Sequence, residues 1–77
     1  MSDNQETVTE IDKFVCPWGK EITLKAVDFD SGLKFIRVTI REKSRFTMLD
    51  LDVDTAEHFA RELLDWAGKA REAMKDL

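Results

Sequence analysis

Seventy-seven residues with a net charge of −4 leave room for one small domain and none for a second. The single cysteine, Cys16, forbids an intramolecular disulfide, and the single histidine, His58, with no CxxC pair, argues against a structural zinc. The acidic balance argues against unassisted binding to nucleic acid or anionic lipid.

The chain opens on MSDNQETVTE, polar and acidic, which reads as neither a signal nor a transit peptide. Residues 1–9 lack periodicity and are expected to be a disordered tail, with residues 10–77 forming a single domain. Ile11, Phe14 and Val15 begin the apolar content and suggest a short first strand, ended by Pro17, which has no amide to donate to a ladder. Cys16 to Gly19, CPWG, is a turn in which proline sets φ and glycine permits positive φ.

Glu21 to Phe29 alternates, with Ile22, Leu24 and Ala26 pointing one way and Thr23, Lys25 and Val27 the other. Period two predicts a half-buried strand. Asp28 to Gly32, DFDSG, is a hairpin connection. In Leu33 to Glu42, Ile36, Val38 and Ile40 form one face and Phe35, Arg37, Thr39 and Arg41 the other. Lys43 and Ser44 make a tight polar turn into Arg45–Leu51, where Phe46 and Met48 oppose Thr47, Leu49 and Leu51.

From Asp54 to Leu77 the pattern changes to a helical one. At about 100° per residue, Phe59, Ala60, Leu63, Leu64, Trp66, Ala67, Ala70 and Met74 share one arc. Asp54 is the expected N-cap, with Glu57 completing a capping box. Gly68 is a weak point beyond which fraying is expected. Short connections favour an antiparallel meander, because parallel pairing needs long crossovers. The predicted fold is α+β: three to four strands with one long C-terminal helix packed on one face, burying Ile22, Leu24, Ile36, Val38, Ile40, Leu49 and Leu51.

A core this small supplies no more than about 3–5 kcal/mol. With disulfide and zinc set aside, self-association is the expected source of further burial, which makes a homodimer the expected assembly. Charge is unevenly spread. Residues 1–10 carry three acids and no base; residues 11–49 carry eight Lys/Arg against five Asp/Glu, net +3; residues 50–77 carry four against eight, net −4.

Asp50, Asp52 and Asp54 sit at alternate positions, as calcium ligands do, but Thr55 stands where such a loop needs its turning glycine and Arg61 where it needs its bidentate glutamate. Exposed acids at a strand end explain the pattern, and no metal is expected. Cys16 has no base beside it in sequence, so a thiol near a turn is the plainer reading and no catalytic residue is assigned. His58 falls on the polar arc. Trp66, at the edge of the apolar arc, either caps the core or contacts a partner chain, and Trp18 is expected to fold over one end of the sheet.

The most function-like surface is the sheet face bearing Lys25, Phe35, Arg37, Thr39 and Arg41, joined by Thr23 and Phe46. Cations interleaved with aromatics suit single-stranded nucleic acid, whose bases stack while its phosphates pair with Lys and Arg. The plainer reading is a solvated face, or one half-covered by a second subunit or another protein.

PWGKEITL, then SGLKFIRVTIREKSRFTMLDLD, then a helix with LLDWA, resembles a family of short uncharacterised bacterial proteins over roughly residues 14–67. That resemblance implies no activity. In architecture alone, a meander followed by one helix resembles the transcriptional coactivators that bind single-stranded DNA as dimers. The expectation is therefore a cytoplasmic, non-enzymatic, homodimeric interaction module without cofactor or membrane span, and the alternative is single-stranded nucleic-acid binding.

Overall fold

The computed structural model describes residues 5–77. Four strands, β1 (Glu6–Val15), β2 (Glu21–Phe29), β3 (Lys34–Glu42) and β4 (Arg45–Leu51), form one sheet in chain order, each pair antiparallel. Helix α1 (Val53–Ala73) follows after one intervening residue, and a 3-10 turn covers Met74–Asp76. The α+β meander with a C-terminal helix is the fold that the alternation and the short connections predict.

The turns are built as their residues dictate. In the CPWG turn the Cys16 amide donates to the Lys20 carbonyl at 2.8 Å and the Gly19 amide to the Cys16 carbonyl at 2.9 Å, with Gly19 at φ +91°. Gly32 takes φ +94° at the end of the second turn. Lys43, at φ 54°, adopts the left-handed conformation without being glycine, which the tight two-residue link from Glu42 to Arg45 requires.

Two extents differ from expectation. β1 begins at Glu6, inside the stretch expected to be tail, because its amides pair with β2 as far as Phe29; residues 1–4 lie outside the described residues. A ten-residue partner for a nine-residue strand explains why weak periodicity did not matter: ladder hydrogen bonds order polar residues that carry no apolar signal. The helix also runs through Gly68 to Ala73 rather than fraying there.

Register sorts the sheet into two faces. Ile22 lies opposite Ile40, Leu24 opposite Val38 and Ala26 opposite Ile36, and the row continues to Leu49 and Leu51 on β4. A bulge between Glu10 and Asp12 flips the side-chain alternation of β1, so that Phe14 joins this apolar face beside Ile22. The other face carries Val8, Val27 and Phe35 in one row, then Glu10, Lys25, Arg37 and Asp50, then Lys13, Thr23, Thr39 and Met48.

Burial falls on the second face, not the first. Val27 is 0% exposed, and Thr23 and Thr39 are the other buried positions among the described residues. Each lies on a central strand between longer neighbours, and Phe29 and Phe35 meet edge to face at 5.9 Å beside Val27.

The helix does not lie across the apolar face. It buries none of its residues, and its substantial contact with the sheet is with β3 alone. A nine-residue strand spans about 30 Å and a 21-residue helix about 31 Å, so a long dimension of 60 Å sets the helix beyond the sheet rather than over it. The expected burial of Ile22, Leu24, Ile36, Val38, Ile40, Leu49 and Leu51 under α1 is thus corrected. They are half-exposed or exposed. The physical reason is the connection: with Asp52 alone between β4 and α1, the helix leaves the sheet where it starts.

Candidate functional site

The candidate site is the mixed face of the sheet, and the hairpin register assembles it. Lys25 lies opposite Arg37 on one side and Glu10 on the other; Val27 lies opposite Phe35, Thr23 opposite Thr39, and Arg41 opposite both Glu21 and Phe46. Lys25, Phe35, Arg37, Thr39 and Arg41 therefore do share one face, with Phe46 beside them.

Their environments differ sharply. Thr39 is buried beside Thr23, out of reach of a ligand. Phe35 is half-buried and held by its edge contact with Phe29. The Arg37 guanidinium is engaged: Nε donates to Asp50 Oδ1 at 2.8 Å and Nη2 to Asp50 Oδ2 at 3.1 Å, while Nη1 lies 3.7 Å from Glu6 Oε1. The hydrogen bonds that Arg37 donates to Asp50 raise the Arg37 pKa and, reciprocally, hold the Asp50 carboxyl below its usual range. Lys13 lies 3.8 Å from Glu21. Arg41 is exposed.

Charge on this face cancels. Glu6, Glu10, Glu21 and Asp50 balance Lys13, Lys25, Arg37 and Arg41, four against four. What the arrangement offers is an electroneutral surface with exposed aromatic and aliphatic side chains at Phe46 and Met48. Steering of a polyanion needs an unneutralised cationic stripe, which this face does not present.

The Glu6–Arg37–Asp50 cluster escaped the sequence reading, although its signal is present. A two-residue turn at Lys43–Ser44 pairs Glu42 with Arg45, and counting outward five residues on each side pairs Arg37 with Asp50. The third member, Glu6, lay in the stretch read as tail.

The remaining candidates are scattered. Asp52, not Asp54, caps the helix: its Oδ2 accepts from the Thr55 amide at 3.2 Å, and hydrogen bonding from the Thr55 side chain and then its amide holds the Asp52 carboxyl below the usual range; Asp54 belongs to the first turn. Trp18 is 90% exposed and covers no part of the sheet; Trp66 is 69% exposed on α1. Cys16 is a half-buried free thiol at the first turn. Among the described residues no three His, Cys, Asp or Glu gather into a group able to hold a metal ion, and no helix is long and apolar enough to cross a membrane.

A second surface is as conspicuous as the first. Phe59 and Leu63 on the apolar arc of α1 are 47% and 53% exposed, and the apolar sheet face beneath no cover adds Phe14 and Leu49. Patches of this extent on a small chain mark interaction surfaces.

The chain belongs to a family of unknown function (DUF6967), which matches residues 5–69 and so takes in all four strands and most of the helix. Neither the comparison with curated proteins nor that with solved structures finds a match.

Proposed function

We propose that this chain is the subunit of a non-enzymatic homodimer that serves as an interaction module. The observation that carries the proposal is an amphipathic 21-residue helix with no buried residue. A solitary helix gains its stability from burying its apolar face, and this one finds no cover in its own chain.

Global dimensions support the same reading. The Cα radius of gyration is 15.9 Å, against about 11.5 Å for a compact chain of this length. The accessible surface is 6713 Å², against about 4,800 Å² from the scaling of folded monomers. The excess of about 1,900 Å² exceeds the roughly 800 Å² that each partner of a stable complex buries. The free thiol of Cys16 supports a reducing compartment, and with it the cytoplasm.

Within such a dimer, the electroneutral face with Lys25, Phe35 and Arg41 stays outward as the surface offered to a protein partner. With Arg37 held by Asp50 and the charges of the face balanced four against four, a neutral, partly apolar partner is favoured over a polyanion. Thermal unfolding followed by far-ultraviolet circular dichroism tests the assembly. Its midpoint rises with chain concentration if folding and association are linked, and a midpoint unchanged over a hundredfold range rejects the dimer.

A further inference from the structure

We infer that the two copies exchange helices: α1 of each lies across the apolar sheet face of the other. The inference rests on the self-association proposed above and specifies its geometry.

Two unpartnered apolar surfaces stand on one chain, and they match. The helix and the turn after it carry Phe59, Leu63, Ala70 and Met74 along about 22 Å. The sheet carries Phe14, Leu24, Val38 and Leu49 on strands at least as long. The usual packing in α+β domains lays one on the other. Here the connection is a single residue, Asp52, and the helix runs past the end of the sheet. Short hinges of this kind favour exchange between copies over closure within one.

Charge supports the same pairing. Val53–Ala73 carries five Asp/Glu against three Lys/Arg, whereas Glu6–Leu51, the whole sheet with its turns, carries eight of each. Helix against helix brings two acidic segments together; helix against the neutral sheet does not. The rival modes also leave apolar area bare. Helix–helix pairing leaves Leu24, Val38 and Leu49 in water. Edge pairing through β4 leaves both the sheet face and the helix stripe in water. Reciprocal exchange covers both surfaces twice with one two-fold operation.

Cross-linking of single-cysteine chains decides the matter. In a Cys16→Ser background, one chain carries Leu63→Cys on the helix and the other Leu49→Cys on the sheet face. Both sites are solvent-exposed in the single chain, so neither change opens a core. A short bis-maleimide added to the mixture yields predominantly the mixed product, while sedimentation of the same sample gives the dimer mass. Leu63→Asp then raises the dissociation constant at least about 100-fold, because two buried leucines are lost and each is worth a factor of ten or more. A dimer that links Leu63→Cys chains to each other, or gives no mixed product, overturns helix exchange and leaves self-association standing. A doubly substituted chain that links internally at monomer mass overturns it too, with the helix folded back on its own sheet. Monomer mass without any product rejects self-association itself.

Discussion

Arg37 on β3 and Asp50 on β4 face each other across the second hairpin and share two hydrogen bonds, at 2.8 and 3.1 Å. Glu6, reaching in from β1, puts a second carboxylate 3.7 Å from the same guanidinium. One side chain on the third strand thereby ties together three of the four strands. The cluster also engages one of the four cations on the mixed face.

That pair makes stability depend on acid. Arg37 lowers the Asp50 pKa below its usual 3.8, so the folded state favours the charged carboxylate. The contribution is complete above the ordinary value and is lost as the pH falls through the lowered one. Both groups are partly solvated, so its size at neutral pH stays below about 1 kcal/mol. Asp50→Asn should remove this component, seen as a flatter acid limb in urea unfolding between neutral pH and pH ~3. An acid limb identical to the parent's contradicts the role assigned to the pair.

The helix start separates two neighbouring aspartates. Asp52→Ala removes the acceptor for the Thr55 amide and should lower helicity by circular dichroism, whereas Asp54→Ala leaves that hydrogen bond intact and should change it less. Asp52→Asn, which keeps an acceptor at the cap, should restore most of the loss. Equal effects at 52 and 54 would return the cap to Asp54.

At the centre of the mixed face, Val27→Ala should cost roughly 2 kcal/mol, because the side chain is wholly enclosed by its cross-strand neighbours. Denaturant unfolding measures it. A loss under about 0.5 kcal/mol would be that of a surface position and would move the core to the opposite face.

Fluorescence tests which tryptophan meets a partner. In a Trp18→Phe chain the remaining Trp66 should be shielded from acrylamide when the protein is concentrated and accessible when it is dilute. In a Trp66→Phe chain, Trp18, 90% exposed at its turn, should be quenched freely throughout. Free quenching of Trp66 at every concentration removes it from the interface.

An electroneutral face should not retain a polyanion. Anisotropy of a labelled single-stranded oligonucleotide is expected to stay flat at low salt. A rise that disappears as salt is added would instead assign Lys25, Arg37 and Arg41 to phosphate contacts.

How much of this was legible depended on whether the information was local. Alternation in Glu21–Phe29 and Leu33–Glu42, and the turn residues between them, announce β2, β3 and the side each residue takes. The Arg37–Asp50 pair was legible too, once the two-residue turn at Lys43–Ser44 is used to count register. Of β1 only the second half was, from Ile11, Phe14 and Val15; ahead of it Glu6, Thr7 and Thr9 carry no apolar signal and owe their order to backbone pairing with β2. Nor was the bulge at Glu10/Asp12, which alone moves Phe14 to the apolar face. The helix shows the limit most clearly. Its apolar arc states that something covers Phe59 and Leu63, but an arc carries no address, and the one-residue link at Asp52 keeps the nearest sheet face from answering.

Sedimentation equilibrium on the unmodified chain at tens of micromolar, beside the Leu63→Asp variant, tests the central claim that a second copy covers α1. The parent should sediment at twice 8.9 kDa and the variant at 8.9 kDa with its strands retained. A parent that sediments at 8.9 kDa with α1 fully helical contradicts the claim, because that helix would then stand in water without a partner.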